Sequence, residues 1–246
     1  VHARFYAPDA RAPGEIVTLA DDEAAHLIRV LRLRPGDVVR AFDGHGREFE
    51  AIVDHAARRV ARLRIGDAIQ PAPERHVRVT LAQAVLKADK MDDVVRDATM
   101  LGVAAIQPIL TARAEATSTA VTRRRDRWER VAVSSTKQCG RAVIPALLAP
   151  CTFEELITAG VRSPRAAVFM FVEPGVANGA LLLQEVAAKA PDTATVIVGP
   201  EGGWTQDEVA MGRGACQPVT LRGPTQRADA MPIVALSALF ARWSEW

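Results

Sequence analysis

Apolar and polar positions follow two different rhythms along the 246 residues. At the start the apolar runs are short and broken by Gly, Pro and Asp: RFYA, EIVTL, DVVRAFD, REFEAIVD and RVARLRIGDAI. Runs of this length, bounded by turn residues, predict strands and a small β-rich unit. Between them, DDEAAHLIRVLRL at 21–33 begins acidic and carries Leu27, Val30 and Leu31 at helical spacing, which predicts one helix. QPAPERH at 70–76 holds two prolines and reads as a linker.

From residue 77 the rhythm changes to strands alternating with helices. VRVTLAQAVL predicts a strand. KADKMDDVVRDATMLGV predicts a helix, with Met91, Val94, Val95, Ala98 and Leu101 on one stripe and Gly102 as its stop. AAIQPIL is a second strand, and RDRWERVAVSSTKQCGR a second helix ending at Gly140. AAVFMFVEPG, TATVIVGPEGG and QPVTL read as buried strands, separated by helical stretches around 179–190 and 205–213. The last helix is PIVALSALFARW, 232–243, with Pro232 in its first turn. Such alternation predicts the α/β class, with a mostly parallel sheet covered on both faces.

Composition adds exclusions. Hydrophobic residues at 49% and charged residues at 24% describe a globular chain. No apolar run approaches the roughly 18 residues of a membrane span, and VHARFYAPDARAPGE lacks the apolar core of a signal peptide. Cys139, Cys151 and Cys216 have no C-x-x-C spacing, which argues against a disulfide framework or zinc site and for a reducing cytoplasm. The five histidines all lie at or before His76, without metal-type spacing, so no metal is expected. The net charge of +2 is segregated: residues 1–75 balance, 76–142 carry +5 and 143–246 carry −3. Most of the excess lies between Arg113 and Arg141. A patch of this kind suits a polyanion such as nucleic acid, or is simply a solvated helix face.

Candidate chemistry sits in three turns that follow predicted strands: VEPG (172–175), GPEGGW (199–204) and LRGPTQRADAMP (221–232). Ligands of open α/β sheets bind beyond the carboxyl ends of strands. Glycines there let a ligand approach the main chain, and prolines stiffen the turn. No phosphate-loop or dinucleotide fingerprint is present, which disfavours a nucleotide-dependent oxidoreductase. Glu201 would repel a pyrophosphate and suits a cationic ligand or one with hydroxyl donors. It also reads as an exposed turn residue, or as a capping partner for the helix beginning near Thr205.

VGPEGGW with DE shortly after it, KADKM followed by LGV and then P, RW before KQCGR, and H--RVLRLRPGD in the first unit occur in this order. Together they resemble the bacterial 16S ribosomal RNA (uracil-N3)-methyltransferases of the SPOUT class, over nearly the whole chain. The resemblance implies a PUA-like β-barrel at 1–72 that binds RNA. It implies a SPOUT methyltransferase domain at 73–246, with a trefoil knot in its mostly parallel sheet. S-adenosyl-L-methionine is the implied cofactor, held by Val172, Glu173, Pro174, Gly199, Pro200, Glu201, Gly202, Gly203, Leu221, Gly223 and Gln226. A homodimer is implied, as is action on a uridine N3 of small-subunit ribosomal RNA near the decoding region, as naked RNA or in the assembled subunit.

The implied catalytic set is Arg227, for the uracil oxygens or a flanking phosphate, with Asp229 or Glu201 orienting the base or accepting its proton. RNA contact is expected from Arg4, Arg29, Arg32 and Arg34, from Arg113, Arg123, Arg124, Arg125 and Arg141, and from His26 unless it is structural. Departures fall close to this set: Gln226, Asp229 and Ala230 replace an apolar residue, a longer acid and a hydroxyl residue, while Asp97, Met100 and Lys137 are also atypical. The other class of function consistent with these departures is a knotted RNA-binding ribosome-assembly protein with weak or lost methyltransferase activity.

Overall fold

The structure is a computed structural model describing residues 2–114, 117–159, 166–176 and 178–246. The chain divides into two compact units, Val1–Glu74 with Val133–Ile144, and Arg75–Ala132 with Pro145–Trp246.

The first unit contains β1 (Arg4–Tyr6), β2 (Ile16–Thr18), α1 (Asp21–Ala25), β3 (Val38–Phe42), β4 (Glu48–Ala57) and β5 (Val60–Ile69). The strands form one sheet in the order β1-β3-β4-β5-β2, in which β1 and β3 run parallel and the other pairs antiparallel. Alternation along the strands puts Val39 and Ala41, Phe49, Ala51 and Val53, and Ala61, Leu63 and Ile65 into one core with Phe5, Leu19 and Leu27. The single helix expected over 21–33 is α-helical only to Ala25, and His26–Val30 is a π-helical turn. Its apolar positions also part company: Leu27 is buried, whereas Val30 and Leu31 face water. The wider turn rotates them off the stripe that 3.6-residue periodicity assigns.

The second unit holds β6 (Arg78–Ala84), α2 (Lys90–Leu101), β7 (Ala105–Leu110), most of α3 (Ser118–Cys139), β8 (Ala146–Leu147), β9 (Cys151–Thr152) and α4 (Phe153–Ala159). It continues through β10 (Ala166–Phe171), β11 (Leu181–Leu182), β12 (Thr193–Val198), α5 (Gln206–Arg213), β13 (Gln217–Thr220) and α6 (Met231–Arg242). Among the described residues, eight strands make one sheet in the order β11-β13-β10-β12-β6-β7-β8, with β9 also beside β7, and all of these pairings are parallel. Gly102 ends α2 in the left-handed region, at φ 96°, as its position after the apolar stripe predicts. The helix expected around 179–190 is instead the edge strand β11 and one 3-10 turn, Leu183–Glu185. Leu181 and Leu182 pair with Val219 and Thr220, and the Glu185 carboxylate accepts from the Leu182 N–H at 2.7 Å. Both contacts hold the backbone away from a helical path.

Register gathers the three unusual turns. Phe171, last in β10, lies opposite both Val198, last in β12, and Val219 near the end of β13. The turns that follow therefore leave the sheet side by side at its carboxyl end.

Candidate active site

A cleft of about 230 Å³ opens at that end of the sheet. Its apolar walls are Phe171, Val172, Val198, Leu221, Pro224 and Met231, and its charged groups are Lys90, Glu173, Glu201, Arg227 and Asp229. Pro174, Gly199, Pro200, Trp204, Thr225, Gln226 and Ala228 complete the lining. Of the residues assigned from sequence to cofactor or catalysis, Gly202, Gly203 and Gly223 are not part of it.

The local structure explains why GPEGGW needs its glycines. Trp204 folds back beneath Gly199, where a Cβ would lie 2.9 Å from its indole Cε2. Its Nε1–H donates to the Phe171 carbonyl at 2.8 Å, and its ring lies 5.0 Å from that of Phe153. Gly203 has φ 68°, and a Cβ there would be 2.6 Å from Glu173 Oε1. These two glycines shape the cleft from behind, by admitting an indole and a carboxylate. Arg113 buckles the same turn, donating to the carbonyls of Gly202 at 2.8 Å and Trp204 at 3.2 Å.

Two ion pairs set the electrostatics. Glu201 Oε1 accepts from Lys90 Nζ at 2.8 Å and from the Lys87 N–H at 3.2 Å. Burial pushes the Glu201 carboxyl up, but the Lys90 ammonium and the N–H groups of Glu201 and Lys87 outweigh it and hold the group below its ordinary value. Glu201 does not cap α5: Thr205 and Glu208 do so reciprocally, at 3.2 and 2.9 Å. Arg227 grips Asp229 through two hydrogen bonds, at 3.0 and 2.8 Å, which lower the carboxyl and raise the guanidinium. The shorter acid thus still reaches its arginine.

Lys90 is a cleft residue that strand-end turns do not point to, although the sequence carries a signal for it. It is the first residue of α2, where the helix dipole disfavours a cation, so a lysine there calls for a compensating partner. Glu173 contributes a further feature. Its Oε2 is buried and has no hydrogen-bond partner among the described residues, and the same is true of Thr220 Oγ1 where β13 enters the third turn. An orphaned buried acceptor is unfavourable by roughly 1–3 kcal/mol, and a ligand donor in the cleft relieves it. Apolar walls, a main-chain turn and a buried acceptor fit a ligand with a flat aromatic ring, hydroxyl or amine donors and a positive centre. S-adenosylmethionine has all three.

The arginines expected to meet RNA divide sharply. Arg4 is only 11% exposed. It pairs with Glu48 at 2.8 and 3.1 Å and donates to the carbonyls of Thr136, Lys137 and Arg141. A guanidinium has five N–H donors, and these bonds use them all. Arg141 is buried against Glu74, with Nε at 3.0 Å from the carboxylate. Both therefore brace the first unit instead of facing RNA. His26 sits by Lys137, whose Nζ is 3.4 Å from Nδ1 and pairs with the buried Glu23. Arg29, Arg32, Arg34, Arg113, Arg123 and Arg124 are exposed, and Arg125 is half-buried. Arg124 donates to the Ala88 carbonyl at 3.0 Å, and Arg125 to Glu129 and the Leu147 carbonyl.

Comparison with known proteins completes the picture. A family model described as an RNA methyltransferase domain matches residues 73–240, and one described as an RNA methyltransferase PUA domain matches residues 19–58. The ribosomal RNA small subunit methyltransferase E of Synechocystis is 32% identical over 229 residues, covering 92% of this chain and 73% of its own. Its namesake in Mycobacterium bovis is 30% identical over 252 residues, covering 98% and 92%. Among solved structures, that of a ribosomal RNA small subunit methyltransferase E from Neisseria gonorrhoeae bound to S-adenosyl methionine is 28% identical, with TM-score 0.88 and coverage of 99% and 98%. A Legionella pneumophila structure in complex with the bound cofactor SAM is 25% identical, with TM-score 0.89 and coverage of 98% of each chain.

Proposed function

This chain belongs to the RNA methyltransferase family, and from that premise we propose that it methylates N3 of a uridine in small-subunit (16S) ribosomal RNA, near the decoding region, using S-adenosyl-L-methionine. The observation that carries the reading is the cleft made by three adjacent strand-end turns, in a fold shared with relatives crystallised with that cofactor. The bound cofactor supplies an electrophilic methyl group on a positively charged sulfur.

The chain's own residues supply the rest. Phe171, Val198, Leu221 and Met231 give the cleft its apolar walls, and the 199–201 main chain with Glu173 offers acceptors. Uracil N3 carries a weakly acidic proton that must leave for the nitrogen to attack. Glu201 and Asp229 are both ionised and held by cations, which weakens them as proton acceptors. Lys90 and Arg227 then act electrostatically, stabilising negative charge on the uracil oxygens so that N3 gives up its proton to solvent. Glu201 and Asp229 orient those two cations. The paired N3 edge is hidden in a duplex, so the target uridine is unpaired or flipped out.

In this reading residues 1–72 bind RNA and 73–246 form the knotted catalytic domain of a cytoplasmic homodimer. Exposed Arg29, Arg32, Arg34 and Arg123 are the best placed phosphate contacts. Calorimetric titration with S-adenosylmethionine, with mass-spectrometric mapping of methyluridines in ribosomal RNA from cells with and without the gene, tests the proposal. Saturable binding and a 3-methyluridine lost with the gene are expected. Absence of cofactor binding would instead favour an assembly protein without activity.

A further inference from the structure

The chain that follows α1 has features for which the cleft has no use. The π-helical turn His26–Val30 is a rare conformation that recurs at functional sites. Two residues later Arg32 has φ 54°, the left-handed region that a residue with a Cβ adopts only at a cost. Val30, which ends the turn, is 68% exposed, and Leu31, which follows it, is 39% exposed. This tip is a closed loop and not a frayed end, since the Leu31 N–H returns to the His26 carbonyl at 3.0 Å and the Leu33 N–H to that of Leu27 at 3.1 Å. From Glu23 to Asp37 the intervening sequence holds Arg29, Arg32 and Arg34 and no acid, and all three arginines are exposed.

Two branched apolar side chains held in water and flanked by three cations select for a particular partner. A second copy of the chain would bring two sets of arginines together across a two-fold contact, so like charges oppose that solution. A polyanion with apolar faces satisfies both halves of the feature. In paired A-form RNA the base faces are stacked out of reach, and only loops and bulges offer them. We propose that Val30 and Leu31 form an apolar wedge that packs against an unstacked base of the RNA, while Arg29, Arg32 and Arg34 hold the flanking phosphates. The proposal rests on the reading that RNA is the substrate, but not on the cofactor cleft.

The test is binding of the full-length protein to two RNA hairpins of equal length, one fully paired and one with a single bulged nucleotide, over a range of salt. The wild type is expected to prefer the bulged hairpin by roughly tenfold, the scale set by burying one or two apolar side chains. Val30→Ser/Leu31→Ser should lose that preference without a change in salt slope, and Val30→Ser alone, at the more exposed site, should lose part of it. Arg29→Gln/Arg32→Gln/Arg34→Gln should weaken both hairpins alike and reduce the slope by about two to three. A fluorescent base analogue at the bulge should respond to the wild type and not to the serine variant. A wild type indifferent to the bulge, or a serine double variant that keeps the preference, overturns the wedge. So does a serine variant that changes the sedimentation of the free protein, which would reveal a second copy on the tip. S-adenosylmethionine titrations run alongside separate the two readings: bulge preference without cofactor binding keeps the wedge and sinks the methyltransferase.

Discussion

The hydrogen on Gly199 is what lets Trp204 pack beneath the turn that walls the cleft. Gly199→Ala would put a methyl group 2.9 Å from Cε2 and 3.0 Å from Nε1 of the indole, so ring or turn must move. Overpacking of this kind costs about 1–3 kcal/mol. Thermal unfolding should show that loss, and calorimetry a marked drop in S-adenosylmethionine affinity. Glu201 gives a prediction in pH. Its folded carboxyl lies below the ordinary value of 4.5. The stability it contributes is therefore full above about pH 4.5 and lost as pH falls through the lower folded value. Urea unfolding of wild type and Glu201→Gln should differ by a constant amount at neutral pH, and the difference should vanish on the acid side of that window.

At the scale of elements, α3 shows how charge is divided between structure and function. Its last carbonyls are gathered by Arg4, whose partner Glu48 is only 3% exposed. Breaking a buried pair from one side costs about 3–5 kcal/mol. Arg4→Ala should lose stability on that scale in denaturant unfolding and leave the salt dependence of RNA binding untouched. Arg123→Glu should do the reverse, flattening the salt slope by about one without lowering the unfolding midpoint. Neighbouring Arg124 and Arg125 each bond a distant carbonyl, so reversing their charge would mix both effects. The run TRRRDR therefore reads as one basic patch in sequence but as several distinct tasks in the fold.

At the scale of the molecule, what could be read ahead was what local chemistry controls. Apolar runs of strand length, a helix stripe closed by Gly102 and the alternation after residue 77 define an α/β unit with a parallel sheet, because each is a property of neighbouring residues. Elements of two residues, such as β8, β9 and β11, carry no period and exist only because a neighbouring strand pairs with them. The stretch 133–144 folds with the first unit although it follows residues of the second, and nothing in its composition announces that. The same division holds in the cleft. That three Gly/Pro turns follow strands is a fact of sequence, whereas their adjacency depends on the register that sets Phe171 beside Val198 and Val219. Lys90 meets Glu201 across 111 positions, and Arg4 meets its carbonyls across more than 130. The order of residues alone determined where the backbone bends, which segments seek burial and which turns can approach a ligand. Only the tertiary structure decided which charges neutralise one another and which remain free, because ion pairing depends on distance in space, and the fold brings remote residues within hydrogen-bonding reach.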